Sequence, residues 1–254
     1  MPILFGLTLI ILVFMHFCKS RDKNAKKASE EFWQRERESK FVPKKDISSL
    51  DYITVPYALL PFRYWTSGTN GPERISSAPE NTTESSDASG DFSALPQTVQ
   101  ESSYALASEH LAPLSEELAE TERTICALSG TKILNLTGIS NTELRLAYGT
   151  ANLDPLTVYD QNFTILIRSL QKWGTLLVSA GRTKDAVTVL SYAVSIGSDI
   201  AGTYTLLAGL YKENGELQKI YELMESAEQL STLMKPSILR DLEQMLDSPE
   251  TSDF

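Results

Sequence analysis

The sequence predicts an all-α protein in which an N-terminal transmembrane helix and a disordered linker precede a C-terminal array of α-hairpins. Three observations carry that prediction. Residues 2–18 are an almost unbroken apolar run, residues 66–91 nearly lack large apolar side chains, and side-chain types recur 34 positions apart beyond residue 167.

The bulk composition narrows the function classes. The 254 residues carry a net charge of -10, which disfavours nucleic acid as a partner, because phosphate binding needs a basic face. The two cysteines, Cys18 and Cys126, stand in an apolar run and in a predicted helix, so no disulfide framework is expected.

Residues 2–18 read PILFGLTLIILVFMHFC, with Thr8 and His16 the only interruptions. Seventeen residues is the short end of what spans a hydrocarbon core. A cleaved signal peptide needs a basic leader and small residues before the cut, and only Met1 precedes the apolar run. A lipoprotein signal ending at Cys18 is disfavoured because Met15, His16 and Phe17 are too bulky for that processing site. An uncleaved anchor is therefore expected. Just beyond it, Lys19, Arg21, Lys23, Lys26 and Lys27 face a single acid, Asp22. By the positive-inside rule that flank places the rest of the chain in the cytoplasm, with bilayer contact through residues 2–27.

Residues 19–41 are read as a charged juxtamembrane helix. Lys26–Glu30, Lys27–Glu31, Glu31–Arg35 and Glu36–Lys40 are i,i+4 pairs that support an exposed helix. Residues 42–65 differ. Pro43, Pro56 and Pro61 forbid a long helix, while Ile47, Leu50, Ile53, Val55, Leu59, Leu60 and Phe62 are too apolar for a simple connector. An extended docking segment is expected, packed against the C-terminal domain or else against an external partner. A sharper hypothesis has residues 46–62 occupy the groove of their own domain until a partner displaces them. Residues 66–100 are the linker, too rich in Ser, Thr, Gly, Pro and acid to offset the entropy of ordering.

A helical domain follows at 102–246, with a disordered tail at 247–254. Leu111, Leu114, Leu118, Ile125 and Leu128 share one helix face, and Gly130 stops it. Glu116, Glu117, Glu120 and Glu122 read as the solvated face of that helix. Ser140-Asn141-Thr142-Glu143 is a capping box opening a short helix that ends at Gly149, the two upstream helices forming an irregular hairpin. The polar string Asn135 to Asn141 is put down mostly to capping. Asp154-Pro155 offers a further N-cap with Pro at N1, and Pro236 opens a last helix with Ile238, Leu239, Leu242, Met245 and Leu246 on one face.

The internal period is the strongest signal. At an offset of 34, Trp173 matches Leu207, Gly174 matches Ala208, Leu177 matches Tyr211 and Gly181 matches Gly215; Leu190 matches Met224 and Ala193 matches Ala227. Residues 167–234 resemble the tetratricopeptide repeat. Trp173, Gly174, Leu177, Gly181, Ala186, Leu190 and Ala193 stand in that family's key places, while Ile220 departs from its alanine and Ser198 and Thr232 from its closing proline. The order of elements also resembles single-pass membrane proteins of anaerobic Gram-positive bacteria, through DISSLDYITVP, LLPF, ILNLTGISNTELRLAYG and YDQNFTILIRSLQKW. That likeness implies no activity.

The tetratricopeptide resemblance implies a concave groove lined by the first helix of each hairpin. Carried over by position, it assigns partner contacts to Arg168, Gln171, Thr175, Val178 and Ser179, and to Thr205, Lys212 and Glu213. The subfamily that clamps a terminal carboxylate uses Lys and Asn where Gln171, Thr175, Thr205 and Gly209 stand here, so a protein or extended peptide of modest charge is the expected ligand.

No phosphate loop, HExxH or CxxC pair is present, and the histidines are His16 and His110 alone. No catalytic residue, cofactor or metal is therefore expected. The expected function is a membrane-anchored, non-catalytic adaptor. Its rivals are a structural part of an envelope or secretion assembly with the domain outside, and a membrane-tethered hydrolase using His110.

Overall fold

A computed structural model of the chain describes residue 23 and residues 26–64 and 113–247, and among these every regular element is helical. The α-helices are α1 (residues 26–39), α2 (113–126), α3 (Asn141–Tyr148), α4 (Leu153–Ser179), α5 (Thr183–Ser195), α6 (Ala201–Glu213), α7 (Leu217–Glu228) and α8 (Lys235–Asp247). A short 3-10 helix at Thr150–Asn152 leads into α4. No described helix is long and apolar enough to cross a membrane. The apolar run 2–18, the linker 66–100, both histidines and residues 248–254 lie outside the described residues.

The chain divides into two compact units, one of residues up to Asp51 together with Gly138–Val158, the other of Tyr52–Thr137 and Tyr159 onward. Helices α1 and α3 fall in the first unit and α2 in the second.

In the first unit the capping box is in place. The Ser140 hydroxyl accepts from the Glu143 amide, and the Glu143 carboxylate accepts from the Ser140 amide at 2.9 Å. Glu36 on α1 does not serve Lys40 alone. Its carboxylate accepts from Thr142 Oγ1 at 2.5 Å and from Arg145 Nη2 at 2.6 Å, so α1 is tied to α3 and is not a free stalk. The Thr142 hydrogen bond first, and Arg145 after it, hold the Glu36 carboxyl below the usual range of 4.5. A depressed folded value means that this contribution to stability is present above that range and is lost as the pH falls. Asn152 Nδ2 donates to the Lys45 and Tyr148 carbonyls at 2.7 and 2.6 Å, and the Lys45 amide donates to Tyr148. The helix α4 starts one residue before the expected Asp154 cap because the 3-10 turn runs straight into it, leaving Asp154 in its first turn.

The second unit is built on tight turns of one kind. After α4, the Arg182 amide donates to Leu177 and the Gly181 amide to Val178; after α6, the Glu216 amide donates to Tyr211 and the Gly215 amide to Lys212. These paired bonds are Schellman closures, and they require a left-handed residue, met by Gly181 at φ 70° and Gly215 at φ 71°. The turn after α5 closes likewise through Gly197 and Ser198. Helix α6 packs against α5, α7 and α8, and α7 against α8. Gly174 lets α4 approach α5 closely, since a Cβ there would lie 2.5 Å from Leu190 Cδ2. Trp173, Leu177, Leu190, Tyr204, Leu207 and Ile220 are the large side chains of the resulting core, all fully or almost fully buried. Burial of each such side chain contributes about 1.5–3 kcal/mol. The last helix takes in Asp247, one residue beyond the expected end, and buries Ile238 and Leu242.

Candidate partner-binding surface

The eight residues assigned from the repeat resemblance fall on α4 and α6. On α4, Arg168, Thr175 and Ser179 are exposed, and Gln171 and Val178 half-buried. On α6, Thr205 and Lys212 are half-buried and Glu213 exposed. The two helices approach each other at one point of this stripe, where a Cβ on Gly202 would lie 3.3 Å from Gln171 Nε2. The stripe is not uniformly open. Lys212 Nζ donates to the Met245 carbonyl at 2.6 Å, so its charge sits on the C-terminal end of α8, where the helix dipole favours a cation. Thr175 and Ser179 turn their hydroxyls back onto the carbonyls of Gln171 and Thr175, and Thr175 Oγ1 also accepts from Gln171 Nε2 at 3.3 Å.

Residues 52–64 form a strap on the second unit, anchored along its whole length. Tyr52 stacks edge-on against Tyr159 with Lys132 Nζ 4.7 Å from its ring centroid. The Ile53 amide donates to Ile133 at 2.9 Å, the Tyr57 hydroxyl to Ile125, and the Tyr192 hydroxyl to Thr54. Val55 and Leu60 are buried, and the Phe62 ring lies 4.7 Å from that of Trp173. Arg182 Nη2 donates to the Pro61 carbonyl at 2.9 Å. The strap therefore sits on α2, on the loop after it and on the Trp173 side of α4. It leaves Arg168, Thr175, Ser179 and Glu213 exposed, where the sequence reading had residues 46–62 filling the groove. The proline spacing and apolar content announce docking, but they do not say which side of α4 receives it.

The strap ends on a side chain that the sequence reading placed in solvent. Glu116, Glu117 and Glu120 are exposed as expected, but Glu122 is wholly buried. Its Oε2 accepts from the Arg63 and Tyr64 amides at 3.0 and 2.8 Å, and its Oε1 has no hydrogen-bond partner among the described residues. The signal was present in the sequence, since Glu122 is four residues after Leu118 and three before Ile125, on the apolar stripe. Burial raises its pKa, and the two amides and the Arg182 and Arg63 charges only partly oppose that. Burial, reinforced by Glu122, likewise pushes the Cys126 thiol up to about 12, so it stays protonated and unreactive at neutral pH.

A raised folded pKa means that Glu122 favours the folded state most below its unfolded value and loses that contribution as the pH rises. We expect Glu122→Gln, which keeps an acceptor for the two amides, to stabilise the protein by about 1 kcal/mol at pH 7. Thermal melts across pH should show that gain shrinking towards pH 4. A variant less stable than wild type at pH 7 would mean that the ionised carboxylate is favoured in this place.

Asn135 also does more than cap. Its Nδ2 donates to the Ile196 and Gly197 carbonyls at the end of α5, both at 3.3 Å, while its Oδ1 accepts from the Thr137 amide. Beside it a cavity of about 440 Å³ is lined by Asn135, Thr137, Val194, Ser195, Gly197, Ser226, Gln229, Leu230 and Ser231. Every lining side chain is uncharged, and the C-terminal ends of α5 and α7 meet there. The chemistry offered is hydrogen bonding to amides and hydroxyls. Among the described residues no group of three His, Cys, Asp or Glu is placed to hold a metal ion. Compared with protein-family models, with curated proteins and with solved structures, the chain matches none.

Proposed function

We propose that this chain is a membrane-anchored, non-catalytic adaptor that binds a protein or an extended peptide along the α4–α6 stripe on the cytoplasmic side. The observation that carries the proposal is the division of α4. One side is locked into the core through Trp173 and Leu177, while Arg168, Thr175 and Ser179 stay exposed beside the close approach of Gln171 to Gly202. A tetratricopeptide-like reading is supported by the equal closures at Gly181 and Gly215 and by helices α5 and α7 starting 34 residues apart. Anchoring is supported by the apolar run 2–18 with its basic C-terminal flank.

The test is proximity labelling from a fusion at the C-terminal end of the full chain, with and without Arg168→Glu. Arg168 is exposed, so the substitution leaves the core intact. We expect the labelling of the principal neighbours to fall about tenfold, the equivalent of about 1.4 kcal/mol. An identical neighbour set in the two samples sinks the proposal.

A further inference from the structure

We propose that the outward side of α1 is a second membrane contact, lying flat on an anionic lipid surface with Trp33 and Phe41 seated among the headgroups. This rests on the reading of residues 2–18 as an anchor and extends the bilayer contact well beyond residue 27.

The helix has two faces of different character. Ala28, Phe32 and Arg35 line a small cavity with Ser140, Thr142 and Glu143, Glu36 is bound by Arg145, and Ser39 is buried. Those positions recur at three and four residues and mark the side turned to α3. Lys23, Lys26, Glu30, Trp33 and Arg37 recur in the same way on the opposite side, and the turn after α1 carries on to Lys40 and Phe41. Four cations thus face one acid. The other acids of α1 are engaged elsewhere: Glu31 pairs with Lys27 at 3.7 Å, Glu36 with Arg145, and Glu38 accepts from Gln34. In a chain of net charge -10, a surface of this sign is a local construction.

The aromatic residues on this side have no place in the protein interior. Trp33 is 56% exposed and Phe41 86% exposed, and the Trp33 ring stands edge-on to Phe32 at 5.4 Å. Cations interleaved with a tryptophan and a phenylalanine are what a helix lying in the headgroup layer presents, because the rings are amphipathic and the cations meet anionic lipid. Reach agrees. Lys23 is five residues beyond Cys18, within about 17 Å of extended chain from the end of the apolar run. An upright α1 would lift Trp33 about 15 Å above Lys23, whereas a flat one keeps the whole row at the surface.

The test uses the full chain in vesicles of phosphatidylcholine with or without phosphatidylserine, carrying bromine on the acyl chains near the headgroup. A Trp65→Phe background leaves Trp33 and the fully buried Trp173 as emitters. In the anionic vesicles we expect bromolipid to quench about half of the emission, and Trp33→Phe to remove that quenchable part. Arg37→Glu with Lys40→Glu, both exposed sites, should return quenching to the level in neutral vesicles while circular dichroism stays unchanged. A chain that floats with the vesicles yet leaves Trp33 unquenched overturns the surface contact and spares the anchor. Failure to float overturns the anchor and this proposal with it. An acidic protein as the true occupant would appear as the first of these outcomes.

Discussion

Replacing Trp173 by Ala is expected to lower stability by about 3–5 kcal/mol, the range for removing a buried aromatic side chain. Trp173 is wholly buried at the centre of the second unit, and the Phe62 ring rests on it. The substitution therefore opens a cavity and removes the seat of the strap in one step. Urea unfolding should record the loss as a lower midpoint, and hydrogen exchange should quicken first at residues 52–64. The Trp173 Nε1 is buried with no partner among the described residues, so Trp173→Phe discards an unpaired donor and should cost much less. If Trp173→Ala melted like the wild type, Trp173 could not be the packing centre described above.

The largest effect in the first unit is expected from Gly149→Ala. Gly149 ends α3 at φ 87° and ψ 151°, a conformation that residues with a Cβ essentially never adopt. A Cβ there would also lie 2.3 Å from the Pro43 carbonyl oxygen and 2.7 Å from its carbon, and backbone atoms cannot rotate out of the way as a side chain can. Strain alone costs about 3 kcal/mol at the upper end of its range, before the collision is counted. Relief requires residues 43–45 to move off Tyr148, which breaks the bond from the Lys45 amide to the Tyr148 carbonyl. Amide exchange at Lys45 is the direct readout. Wild-type protection at Lys45 in the variant would contradict the close contact with Pro43.

The elements legible in the sequence are those written in adjacent residues. Ser140 and Glu143 specify their capping box by themselves, and Gly181 and Gly215 specify their turns because left-handed closure admits little else. Trp173 and Ile238 are buried as the helical period requires. What escaped were choices of partner across long stretches of chain. Glu36 has a lysine four residues away, and local pairing rules assign it there; only the fold brings Thr142 and Arg145 to it, more than a hundred positions along. Glu122 shows the reverse case, a charged residue whose helical register places it inside while its residue type argues for outside. In the proposed partner-binding stripe, positional likeness assigns Lys212 to a ligand and cannot foresee that a following helix would end over it.

The grip of Glu122 on the strap has a consequence for how this protein can diverge. The carboxylate holds two main-chain N–H groups, and the Arg63 side chain forms a partly exposed ion pair with Asp185 at 3.7 Å. Substitution at position 64 is accordingly almost free, and at position 63 it gives up only a partly exposed ion pair; proline is the exception at both because it lacks the hydrogen being held. Selection that preserves this fastening would leave its trace on a single glutamate of α2 and almost none on the two residues it fastens.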